Sequence, residues 1–287
     1  MYMKLDNSCL LCKSETIISL ALGLCRCQVC GFLFLSRAER KRQQESFLPM
    51  MNQTIDQASL EKLRQKYPKD RHDKRVLYQQ YGKQVVAWYG KTVRVLDVGA
   101  NGGFFLHAVE EQGAVPSALR TLEISPTYQA LTKEYFGYEG AIANIEDYKP
   151  QQTFDVISLF DVLEHVNEFW VALSNMREML SQDGRIILKL PNGRFAYLKY
   201  QVAKALGWSH KIPKYLYLEP GGHLNYWDYK TIKKLELAGF VLESFVYVAP
   251  TREQFGKQYP LRAIAYKLNQ WLGLNLFPEF IAVLRKQ

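Results

Sequence analysis

From Val93 onward, short apolar runs of strand length alternate with amphipathic stretches of helix length. The runs are 93–98, 119–124, 154–160, 185–190, 240–248 and 280–284, and the helical stretches are 103–112, 126–136, 168–180 and 230–237. Pro126 opens one of these helices and Gly239 closes another, the positions where proline and glycine suit helix ends. Asp183-Gly184 makes a turn into 185–190. Strands that are apolar along their whole length bury both faces, so the pattern predicts an α/β fold: a largely parallel sheet with helices on both sides.

The remaining sequence sets bounds. Of 287 residues 48% are hydrophobic, enough for a sizeable core. Thirty-seven Lys and Arg against 28 Asp and Glu give a net charge of +9, which favours anionic partners without naming one. No run of 18 or more apolar residues could form a membrane-spanning helix. The stretch 17–24 (IISLALGL) lacks the basic flank and small-residue cleavage site of a signal sequence, and a cytoplasmic protein is expected. Residues 36–80 are charged and read as helices and connectors broken at Pro49 and Pro68, with a short helix over 78–89. The division expected is a cysteine module over 1–36, a helical connector or cover over 37–84, and the α/β domain over 85–287, with insertions at 191–220 and 251–278.

All five cysteines lie in the first 30 residues. They read Cys9-x-x-Cys12 and Cys25-x-Cys27-x-x-Cys30-Gly31. Each Cys-x-x-Cys bends into a knuckle that aims two thiolates at one ion, and two knuckles complete a tetrahedral site. The spacing therefore predicts a zinc ribbon ligated by Cys9, Cys12, Cys27 and Cys30, with Cys25 a spare or alternative ligand. Such a site has no open position and serves structure.

The first apolar run leads into Asp97-Val98-Gly99-Ala100-Asn101-Gly102-Gly103. In doubly wound folds this turn lets a nucleotide-like ligand approach backbone N–H groups, and an acid about 20 residues on accepts hydrogen bonds from ribose hydroxyls. Glu123 stands there, at the end of the second run. Asp97 suits a cationic ligand better than a pyrophosphate.

These residues resemble a family, the class I S-adenosylmethionine-dependent methyltransferases. Asp97-x-Gly99-x-Asn101-x-Gly103 is similar to its first motif with Asn for the middle glycine; Asn tolerates the left-handed conformation, so the loop should survive. Leu122–Ser125 is similar to its second motif, Asn144–Asp147 to its adenine-side motif, Phe154–Val166 to its fourth and Leu180–Leu188 to its fifth. Gly222-His223-Leu224-Asn225-Tyr226-Trp227 also recurs in that family, and the resemblance covers about 85–285. It implies a Rossmann-like seven-stranded sheet. It also implies S-adenosylmethionine held by Asp97, Gly99, Asn101, Gly103, Glu123, Ile124, Asn144, Ile145, Phe160 and Asp161. The cysteine module resembles one that precedes bacterial methyltransferases of sugars and related small molecules, which implies a sugar or glycan-precursor hydroxyl as acceptor. Two alternatives stand beside it: an RNA methyltransferase whose ribbon docks RNA, and a non-catalytic scaffold.

Asp161, Glu164 and His165 follow the third run, and His223 lies beyond the first insertion. If a helix begins at Asp161, these three share one face. His165 or His223 could be a general base. Alternatively, Asp161, Glu164, His165 and His223 could ligate a divalent ion, as a similar cluster does in small RNA 2′-O-methyltransferases, or Glu164 and His165 could merely brace the fold. The insertion 191–220 mixes Phe195, Tyr197, Tyr200, Trp208, Tyr215 and Tyr217 with lysines, as a substrate lid or an amphipathic cover would. The segment 251–278 reads as a cover, an oligomer contact or a membrane-surface helix.

Overall fold

The computed structural model describes residues 8–51, 57–218, 222–274 and 276–287. The chain opens with three short strands, β1 (Ile17–Ser19), β2 (Leu24–Cys27) and β3 (Leu33–Leu35), then α1 (Arg37–Met51) and the 33-residue α2 (Gln57–Tyr89). The helices pass through Pro49 and Pro68, which therefore do not break the segment. A proline removes one backbone hydrogen bond, but flanks such as Leu60-Glu61-Lys62-Leu63-Arg64-Gln65-Lys66 are strong helix formers at nearly every position.

Next come β4 (Val95–Val98), α3 (Phe104–Glu110), β5 (Leu119–Glu123), α4 (Pro126–Phe136), β6 (Glu139–Ile142), β7 (Phe154–Phe160), α5 (Phe169–Met179) and β8 (Leu180–Pro191). The chain finishes with α6 (Gly193–Ala205), α7 (Ile212–Tyr215), β9 (Asn225–Tyr226), α8 (Tyr229–Lys233), β10 (Phe240–Tyr247), α9 (Arg252–Phe255), α10 (Tyr259–Trp271) and β11 (Glu279–Lys286). Asp183-Gly184 lies inside β8, where 181–184 loop out between the paired Leu180 and Arg185.

Seven strands form one sheet in the order β10-β11-β8-β7-β4-β5-β6, in which β11 runs antiparallel to both its neighbours. Side chains alternate between its faces. Leu96, Ile157, Leu159, Ile186, Leu188 and Phe280 pack towards α5 and the cysteine knuckles. Val95, Val156, Ile187, Ile281 and Val283 pack towards α2 and α3. This is the expected α/β architecture with helices on both faces. The polar edge strand β6 lacks an apolar run to announce it; Gly140 lets it lie against β5, since a Cβ there would stand 1.9 Å from Thr121 Oγ1.

A second sheet, β1-β2-β3-β9, joins the cysteine module to a strand from far along the chain. Leu33 and Phe34 pair with Tyr226 and Asn225. The N-terminal module is thus continuous with the polypeptide just beyond His223.

Candidate active site

The turn after β4 depends on three left-handed residues: Gly99 (φ 66°), Asn101 (φ 52°) and Gly103 (φ 75°). Asn keeps the loop where the family motif has glycine, because its short polar side chain tolerates this region. Asn101 N–H donates to Glu123 Oε2 at 3.0 Å, and Thr132 Oγ1 donates to the Asn101 carbonyl at 2.8 Å. Gly99 has no room for a side chain: a Cβ would sit 2.5 Å from Val162. Glu123 also accepts from the N–H groups of Ile124 and Ser125. Burial raises its pKa, and these three donors partly offset that. Ribose hydroxyls can be received by its remaining lone pairs.

A cavity of about 460 Å³ opens beside this turn. Gly99, Asn101, Glu123, Ile124, Asn144, Ile145 and Asp161 line it, as does His165. Asp97, Gly103 and Phe160 are not among its lining residues. Asp97 is buried and accepts from Ser158 Oγ at 2.7 Å, and burial pushes its pKa up to about 7. Phe160 packs against Tyr78 and Phe105 in the core. Among the lining residues that escaped the sequence reading are Gln43 and Gln44 of α1, and Asn167. Arg40, buried in α1, explains their presence. It donates to Asn167 Oδ1, the Leu224 carbonyl and Asn225 Oδ1 at 3.0, 3.1 and 2.9 Å, which pins α1 over the cavity.

No helix begins at Asp161. Its φ is 60°, incompatible with a helical start, and the next residues form a turn in which His165 N–H donates to the Val162 carbonyl. The expected four-residue cluster is accordingly incomplete. Asp161 pairs with Lys189 Nζ at 2.6 Å, and Lys189 also pairs with Glu279 at 2.9 Å. Burial works against the Lys189 charge, but the two carboxylates more than offset it and raise its pKa. A lysine inside the apolar run Ile186-Ile187-Leu188-Lys189-Leu190 was the sequence signal for this pair, since buried lysines need partners.

Glu164, His165 and His223 do converge, with ligand atoms all within 4.8 Å of one another. Glu164 is 1% exposed, and neither carboxylate oxygen has a hydrogen-bond partner among the described residues. Its Oε1 lies 3.9 Å from His223 Nε2. Burial, then the Asp161 charge, hold its pKa well above the usual carboxylate range. Burial, with His165 alongside, lowers His223 to about 3. His165 Nδ1 lies 3.2 Å from the Gly222 carbonyl; a carbonyl only accepts, so Nδ1 carries the proton and Nε2 keeps its lone pair in neutral His165. Tyr217 stacks on His223 at 4.7 Å, and Lys199 Nζ lies over the Phe195, Tyr215 and Tyr217 rings.

The sulfur atoms of Cys9, Cys12, Cys27 and Cys30 also lie within 4.8 Å of one another, and Cys25 is outside the group. Cys9 and Cys30 are 3.7 Å apart and Cys12 and Cys27 3.6 Å. Thiolates placed tetrahedrally at about 2.3 Å from zinc would stand about 3.8 Å apart. Gly31 follows Cys30 at φ 79°, as a tight knuckle requires. These residues fit a closed four-sulfur metal site.

A methyltransferase domain family matches residues 52–244, more than half of the chain. The chain belongs to that family and is an S-adenosylmethionine-dependent methyltransferase. The ubiquinone biosynthesis O-methyltransferase of Actinobacillus pleuropneumoniae serotype 5b is 24% identical over 214 residues, covering 69% of this chain and 80% of that protein. The protein of the same name from Haemophilus ducreyi is 24% identical, with 69% and 79% covered. Among solved structures, the plantazolicin methyltransferase BpumL, with a pentazolic desmethylPZN analog and SAH, aligns with a TM-score of 0.55 at 15% identity, covering 87% of this chain and 96% of that one. N-methyltransferase NodS from Bradyrhizobium japonicum WM9, with S-adenosyl-l-homocysteine, aligns with a TM-score of 0.51 at 13% identity, covering 85% and 98%. At these identities the structural likeness concerns the fold.

Proposed function

We propose that this enzyme methylates a hydroxyl group of a small molecule, a sugar or glycan precursor. One observation carries the reading: the cavity that opens at Glu123 and the glycine turn is also lined by His165. Cofactor and proton acceptor can therefore meet in a single space. Glu123 receives the ribose hydroxyls, Asn144 and Ile145 flank the adenine, and Gly99 and Asn101 admit the cofactor against the main chain. Asp97 supports the turn from behind, Gly103 gives it a left-handed residue, and Phe160 packs in the core below the sheet's end. S-adenosylmethionine, when bound, supplies an activated methyl group, so the protein's share is alignment and proton removal. His165 Nε2 takes the hydroxyl proton while the Gly222 carbonyl holds the ring. The two curated relatives are named O-methyltransferases, which supports oxygen as the acceptor atom. Tyr217, Tyr215 and Phe195 offer faces on which a sugar ring can stack. Cys9, Cys12, Cys27 and Cys30 hold a structural zinc.

The bare Glu164 carboxylate favours a second way to activate the hydroxyl. Glu164, His165 and His223 would hold a divalent ion that lowers the acceptor's pKa, leaving Asp161 to Lys189. Transfer of labelled methyl groups to sugar, phenolic and RNA acceptors tests both readings. With a base, His165→Ala loses roughly 10²–10⁴-fold in rate and mild chelation changes nothing. With an ion, chelation abolishes transfer, magnesium or manganese restores it, and Glu164→Ala is as damaging as His165→Ala. Labelling confined to RNA would sink the small-molecule reading.

A further inference from the structure

Two helices leave apolar stripes in water. On α10, Leu261, Ile264, Leu268 and Trp271 recur at helical spacing, and Leu261 and Trp271 are 77% and 81% exposed; Asn269 is the one residue of this helix that is buried. On α6, Ala196, Tyr200 and Ala203 pack inward, whereas Leu198, Val202 and Leu206 form an outer stripe that Trp208 extends. The two elements spring from one corner of the sheet. Pro191 at the end of β8 pairs with Glu279 at the start of β11. Asn192, the N-cap of α6, donates through its side chain to the Phe277 carbonyl and through its backbone to that of Pro278. Leu198 and Leu276 line a common cavity with Arg26, Arg194 and Lys230.

Charge is concentrated on the same two segments. Residues 192–218 and 250–274 carry nine Lys and Arg against one acid, nearly the whole of the chain's net +9. Several cations lie over aromatic rings: Lys211 on Trp208, Arg252 on Tyr259 and Arg262 on Phe255. A second copy of this face would bring like charges together. RNA would leave the exposed leucines and isoleucine without a use. Exposed aliphatic and tryptophan side chains on segments this rich in cations match a membrane surface, where the apolar stripe enters the acyl boundary and the cations meet anionic headgroups.

We propose that α6 and α10 dock this enzyme peripherally on an anionic phospholipid bilayer. Among the described residues no helix is long and apolar enough to cross a membrane, so the association lies in the interfacial plane. The surface is outside the catalytic cavity, and the proposal stands independently of the acceptor's identity.

Cosedimentation of the full chain with phosphatidylcholine vesicles, with and without phosphatidylglycerol, tests it. Binding should require phosphatidylglycerol, weaken as salt rises, and shift tryptophan emission to the blue. The double variant Leu261→Glu/Trp271→Glu should lose vesicle affinity by roughly tenfold or more, while its circular dichroism and melting temperature match the parent because both side chains are exposed. Four results would overturn the proposal. They are failure to bind either vesicle, binding that the folded double variant retains, a concentration-dependent dimer that this variant dissolves, and RNA binding that persists when vesicle binding does not occur.

Discussion

Asp97 and Glu123 are neighbouring acids that burial treats alike and bonding treats differently. Glu123 is held by three backbone N–H groups, whereas Asp97 has, among the described residues, the Ser158 hydroxyl. The folded-state pKa of Asp97, about 7, exceeds the roughly 3.9 of an unfolded aspartate. Between those values the folded chain keeps a proton that the unfolded chain has lost, so this group's contribution to stability falls as pH rises. Asp97→Asn should remove that slope, and denaturant midpoints should then vary less across this window than in the parent; an unchanged slope would mean that Asp97 titrates normally. At this scale the sequence was partly legible. The turn, Glu123 and the two cysteine pairs announce themselves through local spacing. The Lys189–Asp161 pair and the separation of Asp161 from Glu164 depend on a left-handed residue and on β8, which no local pattern around Asp161 encodes.

Among the elements, β9 links the two chemistries. It completes the cysteine module's sheet through Leu33 and Phe34, and the Leu224 carbonyl just before it receives Leu35 N–H. His223 precedes that strand by a single residue. Loss of the proposed zinc should therefore disturb more than the first 36 residues. Cys12→Ser should reduce bound zinc from one per chain, lower the melting temperature of the whole protein and weaken methyl transfer. Metal analysis with calorimetry checks this. A variant that loses zinc but melts and turns over like the parent would show the module to be independent. The main strands and helices were readable from apolar periodicity. The β3–β9 pairing was not, because two short segments nearly 200 residues apart carry no mutual signal. Nor was the placement of α1 over the cavity, which rests on Arg40 and its distant carbonyl and amide partners.

Taken whole, the molecule places its chemistry where sheet topology provides a crevice. From β4 the chain builds outward through β5 and β6, then returns to lay β7 on the other side of β4. Ligands of doubly wound sheets bind at such a reversal, beyond the carboxyl ends of the strands. Gly99 follows β4 and Asp161 follows β7, and the tight contact between Gly99 and Val162 closes the crevice floor. The family and the cofactor class follow from this frame together with Glu123, whereas no local pattern in the sequence names the acceptor. We infer that Glu123 anchors the cofactor in this crevice. Calorimetric titration of the parent and Glu123→Ala with S-adenosylmethionine tests it most directly. The parent should bind one cofactor per chain, and the variant should lose about 1.5–3 kcal/mol as the ribose forfeits its charged acceptor. Equal affinity in the two proteins would contradict it.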